Sequence, residues 1–451
     1  MPLWPLLCLG LLLLMASRHV RSGRHRDRLR RGARVVTRRI SARRRSASRF
    51  ASWQRVTLAG RAIPPEDESK HFKFIGATGT GKSTAIREIL AGGLARGDRI
   101  VIADPDGGYR RRFFDRYRGD VVLNPFDQDS MRWDPFAELT APYDAELIAS
   151  ALIPDSADVA AQEWRGYGRT LTAALLRRCQ TEQRGTAELW RLLAVAPVEE
   201  LRTLLAGTPA QPFLDPDNAR MFGSIRAVAV SAMAFIEHVG MQRTAPMSVR
   251  SWVREGRGVL FFPYLASQIA ALRSAIAAWL RLAIFEAMSQ RDDRDQRLWF
   301  IIDELDALGA IDGLKDALAR LRKFGGRCVL GFQSVAQVSS TYGASDAQTI
   351  IENCSTTLIL RVSGSEQGGT SQFASRLIGE REVIRRQTSR GRDRGAWPGA
   401  GSGRSSLQIS EQQLSEQAVL ASELEQLPDL YGYLKTASSP GWRLVRLSPG
   451  Q

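Results

Sequence analysis

The fold is decided by the stretch Gly76-Ala77-Thr78-Gly79-Thr80-Gly81-Lys82-Ser83, which fits the pattern G-x-x-x-x-G-K-S/T of a phosphate-binding loop. Its small residues let the backbone curl until successive N–H groups point at one anion. Its lysine supplies a cation to the β- and γ-phosphates, and its serine supplies a hydroxyl to Mg²⁺. We predict that these eight residues and Thr84 bind a nucleotide.

The neighbouring segments predict a parallel α/β sheet around this loop. An apolar segment before the loop predicts a strand and the segment after it predicts a helix, which is the context that the loop requires. Further strands and helices alternate downstream, as in sheets with helices on both faces. The predicted strands are Phe72–Ile75, Arg99–Ala103 and Val121–Leu123, and the helices are Thr84–Ala95 and Tyr109–Tyr117. Asp104 ends the second strand, either as a ligand contact or as a turn residue before Pro105; both interpretations stay open.

Length and composition indicate a globular protein of two or three domains. The chain has 451 residues, of which 44% are hydrophobic. Its four cysteines show no paired spacing and no nearby histidine. This pattern indicates a reducing compartment and argues against a disulfide framework or a zinc site.

The first fifty residues combine an apolar run with a basic tract. The run Leu3–Ala16 would reach about 21 Å as a helix, against about 30 Å for a bilayer core. Basic residues follow it, which places that flank in the cytoplasm. We expect a partial or short membrane anchor over residues 1–17, with a cleaved or mis-assigned start as the alternative. Residues 18–50 carry fourteen arginines and one aspartate, thirteen of the sixteen net positive charges. They can bind acidic lipids or nucleic-acid phosphates, or can be a solvated flank that sets topology.

The middle of the chain has helical periodicity and almost no β-branched runs. Prolines interrupt this region at positions 154, 197, 209, 212 and 246. We predict an all-α insertion over residues 139–250, either a binding domain or a helical lid. Its expected helices include Arg169–Arg178, Thr186–Leu193, Glu199–Leu205 and Ser224–His238.

The α/β pattern resumes near residue 258 and reaches a second chemical motif. After a long helix, Ile269–Ser289, the apolar strand Arg297–Ile302 ends in Asp303 and Glu304. Carboxylates at the carboxyl end of such a strand fall beside the phosphate loop. Asp303 is predicted to hold Mg²⁺, and Glu304 to accept a proton from the attacking water. The pair favours hydrolysis over transfer to a second substrate.

Two further residues are candidates for the same chemistry. Gln333 ends another buried strand and is either a γ-phosphate sensor or an ordinary strand-end glutamine. Arg322 lies beside the apolar stripe of the predicted helix Asp312–Phe324. An arginine supplied by a neighbouring subunit can stabilise the charge that develops in phosphoryl transfer. The alternative is a solvated surface arginine.

These motifs together carry a family resemblance. The segments HFKFIGATGTGKSTAIREIL (71–90), RIVIADPDG (99–107), LWFIIDELDALG (298–309), LARLRKFGG (318–326) and VLGFQSVAQVSSTYG (329–343) resemble the TraD-like coupling proteins of type IV secretion and conjugation. The resemblance covers most of the chain from Gly32 to Leu434. It implies a RecA-like nucleotide-binding domain, interrupted by a membrane-distal all-α domain, that hydrolyses ATP with Mg²⁺ in the presence of DNA.

The resemblance also implies partners and residue roles. The expected assembly is a homohexamer anchored in the bacterial inner membrane, with most of the chain in the cytoplasm. It would hand relaxase-bound single-stranded DNA to the secretion channel, with double-stranded DNA as a further partner. Lys82 and Ser83 become the Walker A pair, Asp303 and Glu304 the Walker B pair, Arg322 the trans-acting arginine and Gln333 the sensor. The family usually has two membrane helices, whereas this chain offers part of one.

The motifs and the resemblance together predict how the chain divides into domains. Residues 51–138 and 251–451 form the two parts of the nucleotide-binding domain, closed by strands near Tyr431–Leu434 and Trp442–Leu447. The stretch Arg385–Ser406 is expected to be a loop or linker. A docking receptor that uses nucleotide only for assembly is the alternative function. A double-strand DNA pump of the chromosome-partition type is disfavoured, because no winged-helix module is recognisable at the C-terminus.

Overall fold

A computed structural model describes residues 28–37, 55–156, 158–290, 297–364, 369–392 and 405–449. The chain divides into two compact units. One comprises Met1–Val35 with Ser375–Leu420, and the other comprises Val36–Ala374 with Ala421–Gln451. The expected anchor, Leu3–Ala16, and most of the arginine tract lie outside the described residues.

The strands are numbered along the described part of the chain. They are β1 Arg28–Gly32, β2 Val35–Val36, β3 Thr57–Leu58, β4 Arg61–Ala62, β5 Phe72–Ile75, β6 Arg99–Pro105, β7 Val121–Val122, β8 Arg132–Trp133, β9 Pro246–Met247, β10 Val259–Tyr264, β11 Leu298–Ile302, β12 Gly326–Phe332, β13 Thr356–Ile359, β14 Glu380–Arg392, β15 Ser405–Gln417, β16 Tyr431–Lys435 and β17 Trp442–Arg446.

The α-helices are numbered in the same way. They are α1 Pro65–Glu68, α2 Lys82–Ala95, α3 Gly108–Phe113, α4 Asp144–Leu152, α5 Val159–Thr181, α6 Thr186–Trp190, α7 Val198–Leu204, α8 Ala219–Met233, α9 Phe235–Met241, α10 Val249–Glu255, α11 Ile269–Ser289, α12 Leu314–Arg320, α13 Val335–Tyr342, α14 Ala344–Asn353, α15 Gly369–Ile378 and α16 Ala421–Glu425.

The large sheet of the described chain has the strand order β2-β17-β16-β13-β5-β12-β11-β6-β10-β7. The strands from β13 to β7 in this order are all parallel. In contrast, β16 pairs antiparallel with both β13 and β17. The prediction of an α/β fold is confirmed, but the sheet is mixed and not simply parallel. A short connection joins β16 to β17, and a connection this short makes a hairpin, which explains the antiparallel pairing of these two strands.

This strand order positions the site. β5, which leads into the phosphate loop, lies between β12 and β13, and β11 lies between β12 and β6. The residues of β10 and β11 are all buried, as expected for strands covered by helices on both faces. The carboxyl ends of β5, β12, β11 and β6 therefore lie together, and we call this the carboxyl side of the sheet. The amino ends of the same strands form its amino side.

The helical region lies in the same compact unit as the sheet. Between residues 139 and 250 the chain forms α4 to α9 and the start of α10, together with the two-residue strand β9, which pairs parallel with β8. The expectation of an all-α segment is therefore corrected at its returning end. Buried Glu138 holds both ends of this region together. Its carboxylate accepts hydrogen bonds from Trp133 Nε1 at 2.9 Å, Ser248 Oγ at 2.7 Å and the Val249 N–H at 2.7 Å.

Several predicted helices differ from the observed ones. The helix expected over Tyr109–Tyr117 ends at Phe113, and the one expected over Arg169–Arg178 is part of the longer α5. The helix expected over Asp312–Phe324 is α12 followed by a 3₁₀ turn, Leu321–Phe324. The helix expected over Ser224–His238 is α8 and α9, separated at Ala234.

Among the described residues, no single helix has the length and apolarity to cross a membrane. One pair, Pro216–Met233 and Phe235–Met241, bent by 58°, meets those criteria only when its parts are combined.

The smaller unit contains a long hairpin where a loop was expected. β14 and β15 pair antiparallel, from Glu380 opposite Gln417 to Arg392 opposite Ser405, and β1 pairs antiparallel with β14. The loop prediction for Arg385–Ser406 is therefore wrong over the residues that the structure describes there. The strands have no apolar stripe to reveal them. Backbone pairing and cross-strand ion pairs, such as Arg386 with Glu411 at 2.7 Å, set their register.

Candidate functional site

The phosphate loop joins β5 to α2 with glycines at its sharpest points. Gly79 has φ of 77° and Gly81 has φ of 122°, values that residues with a Cβ rarely adopt. Ser83 and Thr84 lie in the first turn of α2. The Lys82 side chain folds back, and its Nζ donates to the Gly76 carbonyl at 2.7 Å. Burial lowers the pKa of Lys82. The predicted loop residues therefore form one continuous backbone turn closed by their own lysine.

The loop is supported by segments that sequence reasoning did not assign to the site. The Leu430 N–H donates to the Thr80 carbonyl at 2.9 Å, and the Ala77 N–H donates to the Arg361 carbonyl at 2.8 Å. A Cβ on Gly81 would lie 3.0 Å from Leu447 Cδ1. No local pattern marks these residues, because each contributes a backbone group or an apolar contact from a distant part of the chain.

Asp303 and Ser83, the two predicted metal ligands, are in contact. Asp303 Oδ2 accepts from Ser83 Oγ at 2.8 Å and from the Tyr109 hydroxyl at 2.7 Å. Asp303 Oδ1 is buried and has no hydrogen-bond partner among the described residues. Mg²⁺ prefers carboxylate and hydroxyl oxygens. The unpartnered oxygen beside the Ser83 hydroxyl therefore fits a magnesium ion.

Tyr109 is a site residue that the sequence did not reveal. Burial and the Asp303 charge raise its pKa, so its hydroxyl stays protonated and donates. The Asp104 carboxylate accepts from the Tyr109 N–H at 3.0 Å and from the Arg110 N–H at 2.7 Å. Burial raises the pKa of Asp104 to about 6. Of the two interpretations left open for Asp104, these contacts support the turn, which here places Tyr109 against Asp303.

A chain of hydrogen bonds connects the phosphate loop to the candidate base. Thr78 Oγ1 donates to Gln333 Oε1 at 2.9 Å, and Gln333 Nε2 donates to Glu304 Oε1 at 2.9 Å. Burial raises the pKa of Glu304, which makes its carboxylate a better proton acceptor near neutral pH. The structure thus brings Gln333 and Glu304 together, and it adds Thr78 as the connection to the loop.

Gly331 allows β12 and the residues that follow β11 to lie close together in this site. A Cβ at this position would lie 2.2 Å from the Asp303 carbonyl oxygen. The Leu305 N–H also donates to the Gly331 carbonyl at 2.9 Å. Only glycine lets β12 pass this close to the backbone that follows β11. A glycine inside a buried strand was the available signal, since such glycines mark close backbone approach.

Arg322 lies at the other end of β12. It is exposed in the 3₁₀ turn that precedes this strand, whereas Gln333 follows it. The seven residues of β12 span about 23 Å. The structure therefore does not bring Arg322 to the site of its own chain.

Comparison with known proteins shows the family to which this fold belongs. The family described as the type IV secretion-system coupling protein DNA-binding domain matches residues 55–447. The chain belongs to the type IV secretion-system coupling protein family. The resemblance noted in the sequence is thus confirmed.

Relatives within the coupling protein family extend this result. The coupling protein TraD of Escherichia coli (strain K12) is 31% identical over 395 residues, covering 84% of this chain and 52% of TraD. The chain therefore spans about half the length of that relative. The structure of the unbound conjugative coupling protein TrwB matches with a TM-score of 0.81 and 30% identity over 94% of each chain. TrwB in complex with ADP and Mg²⁺ matches with a TM-score of 0.80 and 31% identity, covering 94% of this chain and 95% of that one.

Proposed function

We propose that this chain binds and hydrolyses ATP with Mg²⁺ at the carboxyl side of its sheet. The observation that carries the proposal is the hydrogen-bonded series Thr78, Gln333 and Glu304 beside the Ser83–Asp303 pair. It supplies a phosphate cradle, oxygen ligands and a candidate base in one place. The TrwB structures with ADP and Mg²⁺ and with an ATP analogue support the choice of ligand.

Each group in this site has a distinct role. Ser83 and Asp303 would hold Mg²⁺, which neutralises charge on the phosphates. Lys82 would leave its contact with the Gly76 carbonyl and pair with the phosphates. Glu304 accepts a proton from the attacking water, and the amide of Gln333 keeps the Glu304 carboxylate oriented. Since Gln333 also contacts Thr78 of the loop, it is placed to respond when the γ-phosphate is lost.

Arg322 would act on a neighbouring subunit. Its exposed position on the amino side, away from its own phosphate loop, suits a group that completes a second subunit's site. An arginine supplied in this way can raise turnover by about 10³-fold or more. We therefore propose a ring of subunits, a homohexamer as in the family resemblance.

The cellular role that we propose is DNA transfer during conjugation. ATP hydrolysis would move relaxase-bound single-stranded DNA into a type IV secretion channel at the bacterial inner membrane, with double-stranded DNA as a second ligand. Membership of the coupling protein family supports this role. The contact between Glu304 and Gln333 favours a motor over a docking receptor, because a receptor needs no hydrolytic base.

ATP hydrolysis by the purified chain tests the motor. Turnover is measured without DNA, with single-stranded DNA and with double-stranded DNA, using Lys82→Ala as the blank. We expect DNA-stimulated turnover that the blank lacks. Bound ATP without turnover above the blank, in a sample whose light scattering shows assembled rings, would favour the docking receptor.

Mixed assemblies test the role of Arg322. Neither Lys82→Ala nor Arg322→Ala should hydrolyse ATP alone, because each site lacks one essential group. Mixed one to one, Lys82→Ala subunits can offer arginine to the intact sites of Arg322→Ala subunits, and activity should return. Absence of rescue in rings shown to contain both variants would argue against an arginine acting in trans.

A further inference from the structure

The amino side of the sheet carries a buried set of ionic and polar groups far from the phosphate loop. The Glu68 carboxylate accepts hydrogen bonds from both Nη atoms of Arg96 at 2.8 Å and from Nε of Arg327 at 2.9 Å. Arg96 Nε also donates to Asp98 at 3.0 Å, and Asp98 accepts from Trp299 Nε1 at 2.8 Å. Glu68 has no exposed surface, and Arg327 is 5% exposed. We call Glu68, Arg96, Asp98 and Arg327 the amino-side cluster.

His71, which directly precedes β5, adds two contacts beside this cluster. Its Nε2 lies 2.9 Å from the Leu318 carbonyl, and its Nδ1 accepts from the Cys328 N–H at 3.1 Å. Nε2 must therefore carry the ring proton and donate it. Burial lowers the pKa of His71 to about 4, which keeps the ring neutral and this pattern intact at pH 7.

These contacts enclose the turn that carries Arg322. Leu318 precedes the 3₁₀ turn Leu321–Phe324, and Cys328 follows it, so the two bonds of His71 hold both ends of this segment. Arg327 Nη1 donates to the Gly325 carbonyl at the end of the turn. A Cβ on Gly326 would lie 2.3 Å from Leu321 Cγ, so Leu321 closes tightly over the backbone there. The exposed Arg322 thus stands on a turn whose flanks are buried and bonded.

His71 and Arg96 lie at the far ends of the two elements that flank the phosphate loop. β5 runs from Phe72, next to His71, to Ile75, next to Gly76. α2 begins at Lys82, and the residue after its last turn is Arg96. The loop at one end of these two elements and the Arg322 turn at the other are therefore joined through His71 and the amino-side cluster.

We propose that His71 and the amino-side cluster are a positioning device for Arg322, which connects a subunit's own phosphate loop to the arginine that it presents to the next subunit. This inference rests on the proposed trans-acting role of Arg322. It predicts that damage to the device lowers the activity of the neighbouring site and spares the site of the damaged subunit. A contribution to stability alone would show no such direction.

The test uses the mixed assemblies of Lys82→Ala, the arginine donor, and Arg322→Ala, the acceptor. His71→Asn is introduced into one partner at a time. Asparagine tolerates the φ of 57° at this position and keeps an acceptor near Nδ1, but it cannot reach the Leu318 carbonyl. We expect rescued ATP turnover to fall at least fivefold with His71→Asn in the donor and less than twofold with it in the acceptor. Equal effects in both partners, or a larger effect in the acceptor, would overturn the inference.

Lys73→Met is the matched control. Lys73 lies on β5, two residues after His71, and its Nζ donates to the Ile351 carbonyl at 2.9 Å, in a segment other than the arginine turn. Because β5 leads into the phosphate loop, Lys73→Met should lower rescued turnover no more in the donor than in the acceptor. If the unmodified donor and acceptor show no rescue, the trans-acting arginine is overturned, which is a different result from loss confined to the donor.

A second measurement does not need activity. Amide hydrogen exchange of the full chain should be at least tenfold faster over residues 321–328 in His71→Asn than in Lys73→Met. Unchanged protection there would contradict the proposal. If His71→Asn fails to fold, Arg327→Lys takes its place in both experiments, because lysine keeps the charge and loses the simultaneous contacts with Glu68 and Gly325.

Discussion

The charged groups on the two sides of the large sheet differ in whether they are paired. On the carboxyl side, within the part of the chain that the structure describes, Asp303 has a buried oxygen without a hydrogen-bond partner, and Glu304 accepts a hydrogen bond from the amide of Gln333. On the amino side, the carboxylate of Glu68 is shared between Arg96 and Arg327. Charge that awaits a ligand is costly to bury, whereas charge that is paired holds elements together. The difference supports our proposals of catalysis on the carboxyl side and of a positioning role on the amino side.

Glu304→Gln should show the largest effect on the carboxyl side. The amide cannot accept a proton from water, so ATP turnover should fall about 100-fold or more. Nucleotide affinity should stay within about twofold, since the loop and Asp303 are unchanged. Steady-state hydrolysis and equilibrium binding of a fluorescent ATP analogue measure the two quantities. Unchanged turnover would remove Glu304 as the base.

The same substitution on the amino side should affect stability. Glu68→Gln leaves Arg96 and Arg327 facing a neutral group in a buried place, at a cost of about 3 kcal/mol. Urea unfolding measures the free energy. The control is Glu146→Gln, which breaks the solvent-exposed pair with Arg177 and should cost less than about 1 kcal/mol. Equal losses would show that the amino-side cluster is no more important than a surface ion pair.

The pH dependence of unfolding gives a third contrast. Burial lowers the pKa of His71 from 6.5 to about 4, and the charges of Arg327 and Arg322 also lower it. The unfolded chain therefore binds more protons between these values, and stability should decrease as pH falls from 6.5 to 4. This one group accounts for about 3 kcal/mol. His71→Asn should be less stable at pH 7 and should lack this part of the decrease. Parallel profiles for the two proteins would contradict the assignment.

A backbone contact gives the smallest effect. Gly331→Ala places a Cβ against the Asp303 carbonyl and should cost about 2 kcal/mol while lowering turnover, because the carboxylate moves with its backbone. Gly223→Ala, in α8, meets no heavy atom within 4 Å and should be neutral or slightly stabilising. Thermal unfolding and ATP hydrolysis, measured on the same samples of both variants, give the effects on stability and on turnover. Similar behaviour of both variants would indicate that β12 can move away from Asp303.

The sequence by itself predicted the candidate site residues and most of the scaffold. The loop from Gly76 to Ser83 and the pair Asp303–Glu304 are local patterns, because phosphate and metal contacts need particular residue types at fixed spacing. Strand β5 and helix α11 follow from apolar runs and periodicity, and both have their predicted bounds. The signals of Gln333 and Arg322 were weaker, and the family resemblance strengthened the roles that we propose for them.

Only the tertiary structure decided how distant groups meet. Tyr109 reaches Asp303 from 194 positions away, and Glu68 reaches Arg327 across 259. The hairpin of β14 and β15 also escaped detection, because polar strands without an apolar stripe resemble a linker. Composition and periodicity report which face of an element is buried. They do not report which buried polar groups pair, because those partners depend on the order of strands in the sheet.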